Sequence, residues 1–141
     1  MWREMGYRTA LKTHHIAYDP RLVTSGEFDR NVARTSIRKL VAEKVNFDAI
    51  FSGDDEAAVG VLEALRESRI TVSEDVSVVG FDDQRLSVYL NPSLTTVRAP
   101  TDEVGRVAAQ QLLKLIHNDH VDPLILLPTE IIFRQSCGCG V

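Results

Sequence analysis

The segment VSVVGFDD, residues 76–83, is an apolar run that ends on two adjacent carboxylates. Strands of a parallel sheet are covered on both faces and are therefore nearly unbroken runs of Val, Ile and Leu. In open α/β sheets, ligands bind in the crevice outside the carboxyl ends of such strands. The segment predicts a buried parallel strand that carries Asp82 and Asp83 to the edge of the sheet where binding sites form.

Segments with helical and strand-like periodicity alternate along the rest of the chain. The predicted helices cover residues 2–15, 29–44, 54–68 and 101–117. Strands are predicted near residues 21–25, 47–53 and 94–100, and an extended segment interrupted by Pro128 near residues 124–136. Thr101 or Asp102 is expected to cap the last helix. Such alternation is typical of βαβ units, so the predicted fold class is α/β, a parallel Rossmann-like sheet flanked by helices.

Charge and hydropathy argue against two classes of protein. The formal net charge is −4 and no dense Lys/Arg cluster occurs, which argues against nucleic-acid binding by this chain alone. No apolar run approaches the roughly 18 residues that a membrane span requires. The N-terminal segment MWREMGYRTALK lacks the apolar centre of a signal peptide, which predicts a cytoplasmic location and no membrane contact.

Two acidic clusters, FSGDDE and GFDD, follow predicted strands and are expected to face a common cleft. One interpretation is recognition of a polar ligand, because an ionised carboxylate accepts hydrogen bonds from neighbouring hydroxyls at about 1.5–3 kcal/mol each. A second is a Mg²⁺ site for phosphoryl transfer, although no Gly-rich phosphate loop with a lysine is present. In the third, purely structural interpretation, Asp54 and Asp55 cap a helix while Asp82 or Asp83 caps a turn.

The two cysteines, Cys137 and Cys139, lie in SCGCG near the end of the chain. They are too few for a disulfide framework, and a structural zinc site requires about four ligands. His117 and His120 would complete such a set, but a flexible, reduced tail is the favoured interpretation. No metal, cofactor or catalytic residue is predicted, since the sequence also lacks a G-x-S-x-G nucleophile motif.

Four longer segments favour the first of the three interpretations of the acidic clusters, recognition of a polar ligand. They are DAIFSGDDEAAVGVLEALRES, VSEDVSVVGFDD, PSLTTVRAPTDEVGRVAAQQLL and LLPTEIIFRQS. In composition, order and spacing they resemble the effector-binding domain of the lactose-repressor and galactose-repressor (LacI/GalR) family. The resemblance covers essentially the whole chain and implies one lobe of a fold similar to periplasmic binding proteins. It also implies a non-enzymatic sensor for a small polar effector, either a sugar or a nucleoside-like molecule.

The resemblance also implies a domain organisation. Residues 1–141 resemble part of an effector-binding domain, mostly its second lobe, whereas residues 94–118 resemble a crossover strand and helix of the first lobe. Family members carry an N-terminal helix-turn-helix that is not found in this sequence. We therefore expect a fragment of a regulator, which contacts operator DNA only through a domain missing here.

Site residues follow from matching the family motifs position by position. Arg3 in REMGY resembles the family's ligand-gripping arginine, and Asp82 in GFDD resembles the acid that accepts hydrogen bonds from sugar hydroxyls or a purine. Asp54 stands where the family commonly has Asn, which removes a side-chain donor and favours donor-rich ligands. Ala99 replaces a side chain that is often polar in relatives, so that contact is expected to be lost. Asp83 is expected to brace the turn.

The resemblance further predicts a homodimer. In the family, the helix similar to DDEAAVGVLEAL and the loop similar to QRLSVYLNP contribute to the dimer interface, and the candidates here are Val59, Leu62 and Tyr89. The helix that begins near Thr101 lacks the sheet of the missing lobe. We expect its apolar stripe either to fold back on this lobe or to pack against another copy of the chain.

Two alternatives to a transcriptional regulator remain open. RQSCGCG resembles the end of sensor domains of this family that are joined to nucleotide cyclases or kinases, so a sensor of a fused signalling protein is the first. A Mg²⁺-dependent phosphotransferase is the second. An upstream helix-turn-helix, a downstream catalytic domain or tight Mg²⁺ binding would distinguish the three.

Overall fold

The computed structural model of the protein describes residues 2–139. The helices are α1 (Trp2–Thr13), α2 (Arg30–Ala42), α3 (Asp55–Glu67) and α4 (Thr101–Ile116). The strands are β1 (Ala49–Phe51), β2 (Ser77–Phe81), β3 (Thr95–Arg98) and β4 (Glu130–Ile132). Short 3-10 helices lie at Pro20–Leu22, Arg85–Val88 and Gln135–Cys137. This order of elements confirms the α/β class predicted from the alternating periodicity.

The strands form a mixed sheet in the order β1, β2, β3, β4. β1, β2 and β3 are parallel, whereas β4 runs antiparallel to β3. The carboxyl ends of neighbouring parallel strands lie at the same edge of a sheet. Asp82 follows β2 directly, and Asp54 follows β1 after two intervening residues, so both acidic clusters start from that edge.

The core lies between the sheet and two helices, with α3 packed on β2 and α2 packed on α3. Leu65 on α3, Val78 on β2 and Leu94 just before β3 are fully buried. Burying each of these side chains stabilises the fold by about 1.5–3 kcal/mol. An ion pair between Arg30 and Glu63 links α2 to α3 near the protein surface, but such exposed pairs contribute about 1 kcal/mol at most. Apolar burial therefore positions α3, whose N-terminus carries the first acidic cluster.

The strands are less buried than their apolar sequences indicate. In β1, Ile50 packs against the core, whereas Phe51 is 46 % exposed. In β2, Val78 and Gly80 are buried, and the other three residues of the strand are half-buried. This alternation arises because α3 covers one face of the sheet, so only every second side chain reaches the core.

The strand predicted near residues 21–25 is wrong. The chain instead forms a 3-10 helix at Pro20–Leu22, and the Asp19 carboxylate caps it by accepting a hydrogen bond from the Arg21 N–H at 2.9 Å. Proline at the first position of a helix has a suitable φ and no amide hydrogen to satisfy. The Asp19–Pro20 pair therefore favours a turn of helix more strongly than the short apolar stretch favours a strand.

The predicted cap of α4 is also wrong. Pro100 is the N-cap and makes no side-chain hydrogen bond, while Thr101 and Asp102 are already the first residues of the helix. Proline lacks an N–H and restricts φ, so it is well tolerated where a helix begins. Asp102 and Glu103 still lie in the first turn, where negative charge suits the positive end of the helix dipole.

Two helices lie outside the core. α1 forms where WREMGYRTALKT predicts it, yet neither α1 nor α4 contains a buried residue. The expectation that α4 folds back on this lobe is therefore wrong. No helix among residues 2–139 is long and apolar enough to cross a membrane.

The other arrangement expected of α4, packing against another copy, stays a prediction. Leu112, Leu113, Leu115 and Ile116 are each 55–64 % exposed, and an apolar patch of this kind drives association. We expect sedimentation velocity at micromolar concentration to show dimers or larger species. The double variant Leu112→Glu/Ile116→Glu should shift the chain toward monomer, and a wild-type monomer would contradict the prediction.

Candidate functional site

The loop after β2 presents two carboxylates in an unusual backbone conformation. Asp82 has φ 101° and Asp83 has φ 51°, both in the region that favours glycine. Such residues cost about 1–3 kcal/mol each and persist only where surrounding contacts fix them. The Asp82 N–H donates to the Val97 carbonyl at 2.8 Å, which keeps the loop paired with β3. The conformation turns the chain sharply, so that the two carboxylates have different surroundings.

Asp55 is the main contact that fixes this loop. It is fully buried, and its carboxylate accepts hydrogen bonds from the Gln84 N–H at 2.7 Å and from the hydroxyls of Ser87 and Thr96 at 2.6 Å each. β2 can pass this close because residue 80 is glycine, where a Cβ would lie 2.2 Å from the Asp55 Oδ1 atom. Asp55 thus joins α3 to the loop after β2 and to β3.

The prediction that Asp54 and Asp55 both cap α3 is half correct. Asp54 is the N-cap, and its carboxylate accepts from the Ala57 N–H at 2.8 Å. Asp55 points instead into the sheet edge, where it makes the three hydrogen bonds to other segments. Two neighbouring aspartates therefore have different tasks, one local to the helix and one between segments.

Asp83 braces the turn, as predicted. Its carboxylate pairs with Arg98 at 2.6 Å and with Arg134 at 2.5 Å, and its N–H donates to the Thr96 hydroxyl oxygen at 3.3 Å. Arg98 ends β3 and Arg134 follows β4, so the pairs tie the loop to both strands. Asp83 is therefore paired with Arg98 and Arg134, whereas Asp82 is the acid that lies against Arg3.

The two acids have opposite ionisation behaviour. Burial raises the pKa of Asp82, and the nearby charges of Asp54 and Asp55 add to this, although Arg3 opposes it. Burial also opposes ionisation of Asp83, but hydrogen bonds from Arg134 and Arg98 outweigh it and lower the pKa of that carboxyl. The ionised form of Asp82 is therefore less favourable in the folded protein than in water. Such perturbed carboxylates are common in binding sites.

These directions predict the pH dependence of the two residues. A raised pKa in the folded state means that charging Asp82 reduces stability as the pH rises through that pKa. The lowered pKa of Asp83 means that its stabilisation is present above the unfolded-state pKa and is lost as the pH falls through the folded-state pKa. In a carboxyl ¹³C NMR titration, we expect Asp82 to titrate at higher pH than Asp83. Arg134→Gln should raise the Asp83 midpoint, and equal midpoints in the wild type would contradict the assignment.

Arg3 on α1 lies against Asp82. Its guanidinium nitrogen is 3.6 Å from the Asp82 Oδ1 atom, and its carbon lies 4.1 Å from the centre of the Phe81 ring and 5.3 Å from that of Phe28. The Arg3 Nε atom is buried and has no hydrogen-bond partner among the described residues. The site therefore contains a cation close to two aromatic rings, whose buried Nε donor is unpaired among the described residues.

Phe28 was missed by the sequence reasoning. It is 58 % exposed, packs against Gly53 and has φ 54°, directly after Glu27 at φ 50°. The two left-handed residues form a turn before the Asp29 cap of α2 and bring the ring to Arg3. An exposed aromatic residue in the turn SGEFD was the available signal, but its partner Arg3 lies far away in the sequence.

The three predicted ligand-binding residues lie close together in the fold. Asp54 is near enough to Asp82 to raise its pKa, so Arg3, Asp54 and Asp82 share one region. Of the interface candidates, Tyr89 is 73 % exposed, whereas Val59 and Leu62 are half-buried. In residues 2–139, no three His, Cys, Asp or Glu side chains are grouped as metal ligands.

The family model for the periplasmic binding protein-like domain matches residues 1–137. The chain belongs to this family. Its curated relatives are LacI-type transcriptional regulators. They include the HTH-type transcriptional regulator MalR of Clostridium butyricum, 35% identical over 136 residues, which are 96% of this chain and 41% of MalR. The ribose operon repressor of Escherichia coli strain K12 is 34% identical over 131 residues, which are 93% of this chain and 40% of the repressor.

Solved structures of LacI-type regulators have the same fold as this periplasmic binding protein-like chain. The CelR–cellobiose complex superposes with a TM-score of 0.89 at 34% identity, covering 95% of this chain and 41% of that one. A sugar-binding LacI-family regulator from Escherichia coli, complexed with phosphate, gives a TM-score of 0.87 at 29% identity and covers 95% of this chain and 48% of that one. The chain thus spans about two fifths of the length of its curated relatives.

Proposed function

We propose that this chain is the ligand-sensing part of a LacI-type transcriptional regulator and that it binds a small polar effector. The observation that carries the proposal is the contact of Arg3 with Asp82 at the carboxyl end of β2. A carboxylate that accepts hydrogen bonds and a guanidinium that donates them lie side by side, which suits vicinal hydroxyls. The unpartnered Arg3 Nε atom adds a donor for which a ligand oxygen is the natural partner.

The effector class follows from the same residues. Asp82 accepts from hydroxyl groups, and Arg3 donates to a hydroxyl or ring oxygen. Phe28, being exposed, offers a flat apolar surface for the C–H face of a sugar or for a nucleobase. Asp54 contributes further negative charge rather than a donor, so ligands rich in hydroxyl or amino donors are favoured. We infer a sugar or nucleoside-like effector.

The relatives support a sugar-type ligand. One solved neighbour is a complex with cellobiose, and one curated relative is a repressor of a ribose operon. By analogy, effector binding modulates the affinity of the full-length protein for operator DNA, which is contacted by a domain outside this chain. The proposed role is non-enzymatic, because binding and release of the effector are sufficient for such a switch.

A ligand screen tests the proposal. Because the chain spans about two fifths of its relatives, the screen uses the longest natural polypeptide that contains it. Thermal unfolding is followed with mono- and disaccharides, polyols and nucleosides, since a ligand that binds only the folded state raises its apparent stability. We expect at least one sugar or nucleoside to raise Tm in the wild type but not in Arg3→Ala, with the exposed-site variant Arg38→Ala as control. Hits that Arg3→Ala binds equally well would refute this site.

We also propose that the protein acts as a homodimer through Val59, Leu62 and Tyr89. Tyr89 is exposed directly after the 3-10 helix Arg85–Val88, and Val88 is 49 % exposed beside it. Aromatic residues of this kind are enriched at interfaces. In analytical ultracentrifugation of the full-length polypeptide, we expect Tyr89→Asp to raise the dimer dissociation constant about tenfold or more, by placing an unpaired charge at the contact. Ile16→Asp, which places the same charge at another exposed apolar residue, is the control, and an unchanged constant for Tyr89→Asp would contradict the assignment.

A further inference from the structure

The segment Cys137–Gly138–Cys139 places two thiols one residue apart, and both cysteines are free. The sequence favoured a flexible tail here, but Cys137 is the last residue of the 3-10 helix Gln135–Cys137. The helix is anchored through Ser136, which is fully buried. Its hydroxyl donates to the Val78 carbonyl at 2.6 Å and accepts from the Thr95 N–H at 2.8 Å. Cys137 is therefore attached to the middle of the sheet.

The Cys137 backbone is fixed as well. Its carbonyl accepts a hydrogen bond from the Ser77 hydroxyl at 3.1 Å, and its sulfur lies 3.5 Å from the Arg134 carbonyl oxygen. The residue is half-buried. One face of the sulfur is thus oriented by the protein, while the remaining exposure leaves it open to a small reagent.

Gly138 turns the chain so that the second thiol returns to the first. It has φ 69°, and a Cβ at this position would lie 2.9 Å from the Ser73 carbonyl oxygen, so the turn requires glycine. The exposed Cys139 thiol consequently donates a hydrogen bond to the Cys137 carbonyl oxygen at 3.7 Å. The fold therefore turns the Cys139 side chain back toward Cys137.

The two thiols differ in acidity. Burial opposes ionisation of Cys137, but hydrogen bonds from the side chains of Cys139 and Thr95 outweigh it and lower the pKa of Cys137. The hydrogen bond with Cys137 raises the pKa of Cys139. At neutral pH the thiolate, which is the nucleophile of thiol chemistry, therefore forms preferentially at Cys137.

We propose that Cys137 and Cys139 form a thiol–disulfide exchange site whose substrate is a low-molecular-weight disulfide such as oxidised glutathione. The Cys137 thiolate attacks one sulfur of the substrate, forms a mixed disulfide and releases one thiolate. Cys139 then loses its proton and attacks the Cys137 sulfur, which forms the Cys137–Cys139 bond and releases the second thiolate. The chain loses two protons and two electrons, and the substrate is reduced to two thiols. The site is independent of the proposed effector function.

The test compares the folded chain with the heptapeptide RQSCGCG, which has the same thiols but no fold. Both are incubated with oxidised glutathione at pH 7, trapped with acid and analysed by mass spectrometry. We expect the folded chain to form the Cys137–Cys139 disulfide at least about fivefold faster than the peptide, because a larger fraction of Cys137 is thiolate and the Cys139 side chain is already turned back toward Cys137. Cys139→Ser should accumulate a single glutathione adduct at Cys137, and Cys137→Ser should react no faster than the peptide.

Three results would overturn the proposal. The first is a folded chain that reacts no faster than the peptide, which would mean that the fold contributes nothing. The second is glutathione on Cys139 as the first adduct in the wild type. The third is a stable mixed disulfide that Cys139 does not resolve. Circular dichroism of both serine variants checks that they remain folded, and Ser136 rather than either sulfur anchors the helix, so we expect folded variants.

Discussion

Replacing Asp55 with alanine is expected to lower the free energy of unfolding by about 3–6 kcal/mol, the largest effect of any single substitution proposed for this protein. The substitution leaves the Gln84 N–H and the hydroxyls of Ser87 and Thr96 without their acceptor. Each buried donor left unpaired costs about 1–3 kcal/mol. Urea unfolding followed by circular dichroism measures the difference.

Two control variants separate the role of the hydrogen bonds from a general effect of losing a carboxylate. Asp48→Ala removes an exposed carboxylate and should change stability by no more than about 0.5 kcal/mol. Thr96→Val removes one of the three donors and should cost clearly less than Asp55→Ala. If Asp55→Ala cost less than about 1 kcal/mol, the loop after β2 would have to be fixed by other contacts.

Replacing Asp82 with asparagine is expected to weaken effector binding about tenfold or more, because the amide keeps the shape but removes the charge that strengthens each accepted hydrogen bond. The stability of the free protein should not fall, and at neutral pH it should rise. Burial and the neighbouring carboxylates disfavour the charged form of Asp82, so a neutral side chain relieves that cost. Calorimetry with the effector found in the screen measures the affinity, and thermal unfolding measures the stability.

The neighbouring acid provides the matched control for this prediction. Asp83→Asn removes the charge that pairs with Arg98 and Arg134, so it should lower stability, in contrast to Asp82→Asn. The combination of weaker binding with unreduced stability identifies Asp82 as a binding residue rather than a structural one. Unchanged affinity in Asp82→Asn would place Asp82 among the structural residues.

The predictable part of the fold is the part with strong periodicity. The helical repeats of α2, α3 and α4 and the apolar run of β2 are local patterns, and the structure has all four elements near their predicted positions. The stretch at 21–25 has no such repeat, and there the local Asp19–Pro20 turn decided the outcome. β1 and α1 form where predicted but are largely exposed, because a pattern reports which side chains are apolar but not whether another element covers them.

The candidate site also combines features that local sequence patterns predict with features that only the packing of distant segments sets. The sequence shows that acidic residues follow β1 and β2. A parallel sheet brings such positions to one edge. Phe28 reaches Arg3 only through a left-handed turn and the packing of distant segments, which no local pattern encodes. The sequence therefore predicted that acidic residues lie at this edge of the sheet, but not that an aromatic ring lies beside Arg3.

The sequence by itself determined the α/β alternation, the parallel strands and the presence of two adjacent acids at each of two strand ends. Only the tertiary structure decided which acid of the first pair caps a helix and which joins distant segments. Asp54 and Asp55 are chemically identical, yet one caps a helix and the other is buried with three donors. Asp82 and Asp83 differ in exposure and in the charged groups that surround them. The reason is physical: the pKa and hydrogen bonding of a carboxylate depend on burial and on partners from distant segments, which come together only when the chain has folded.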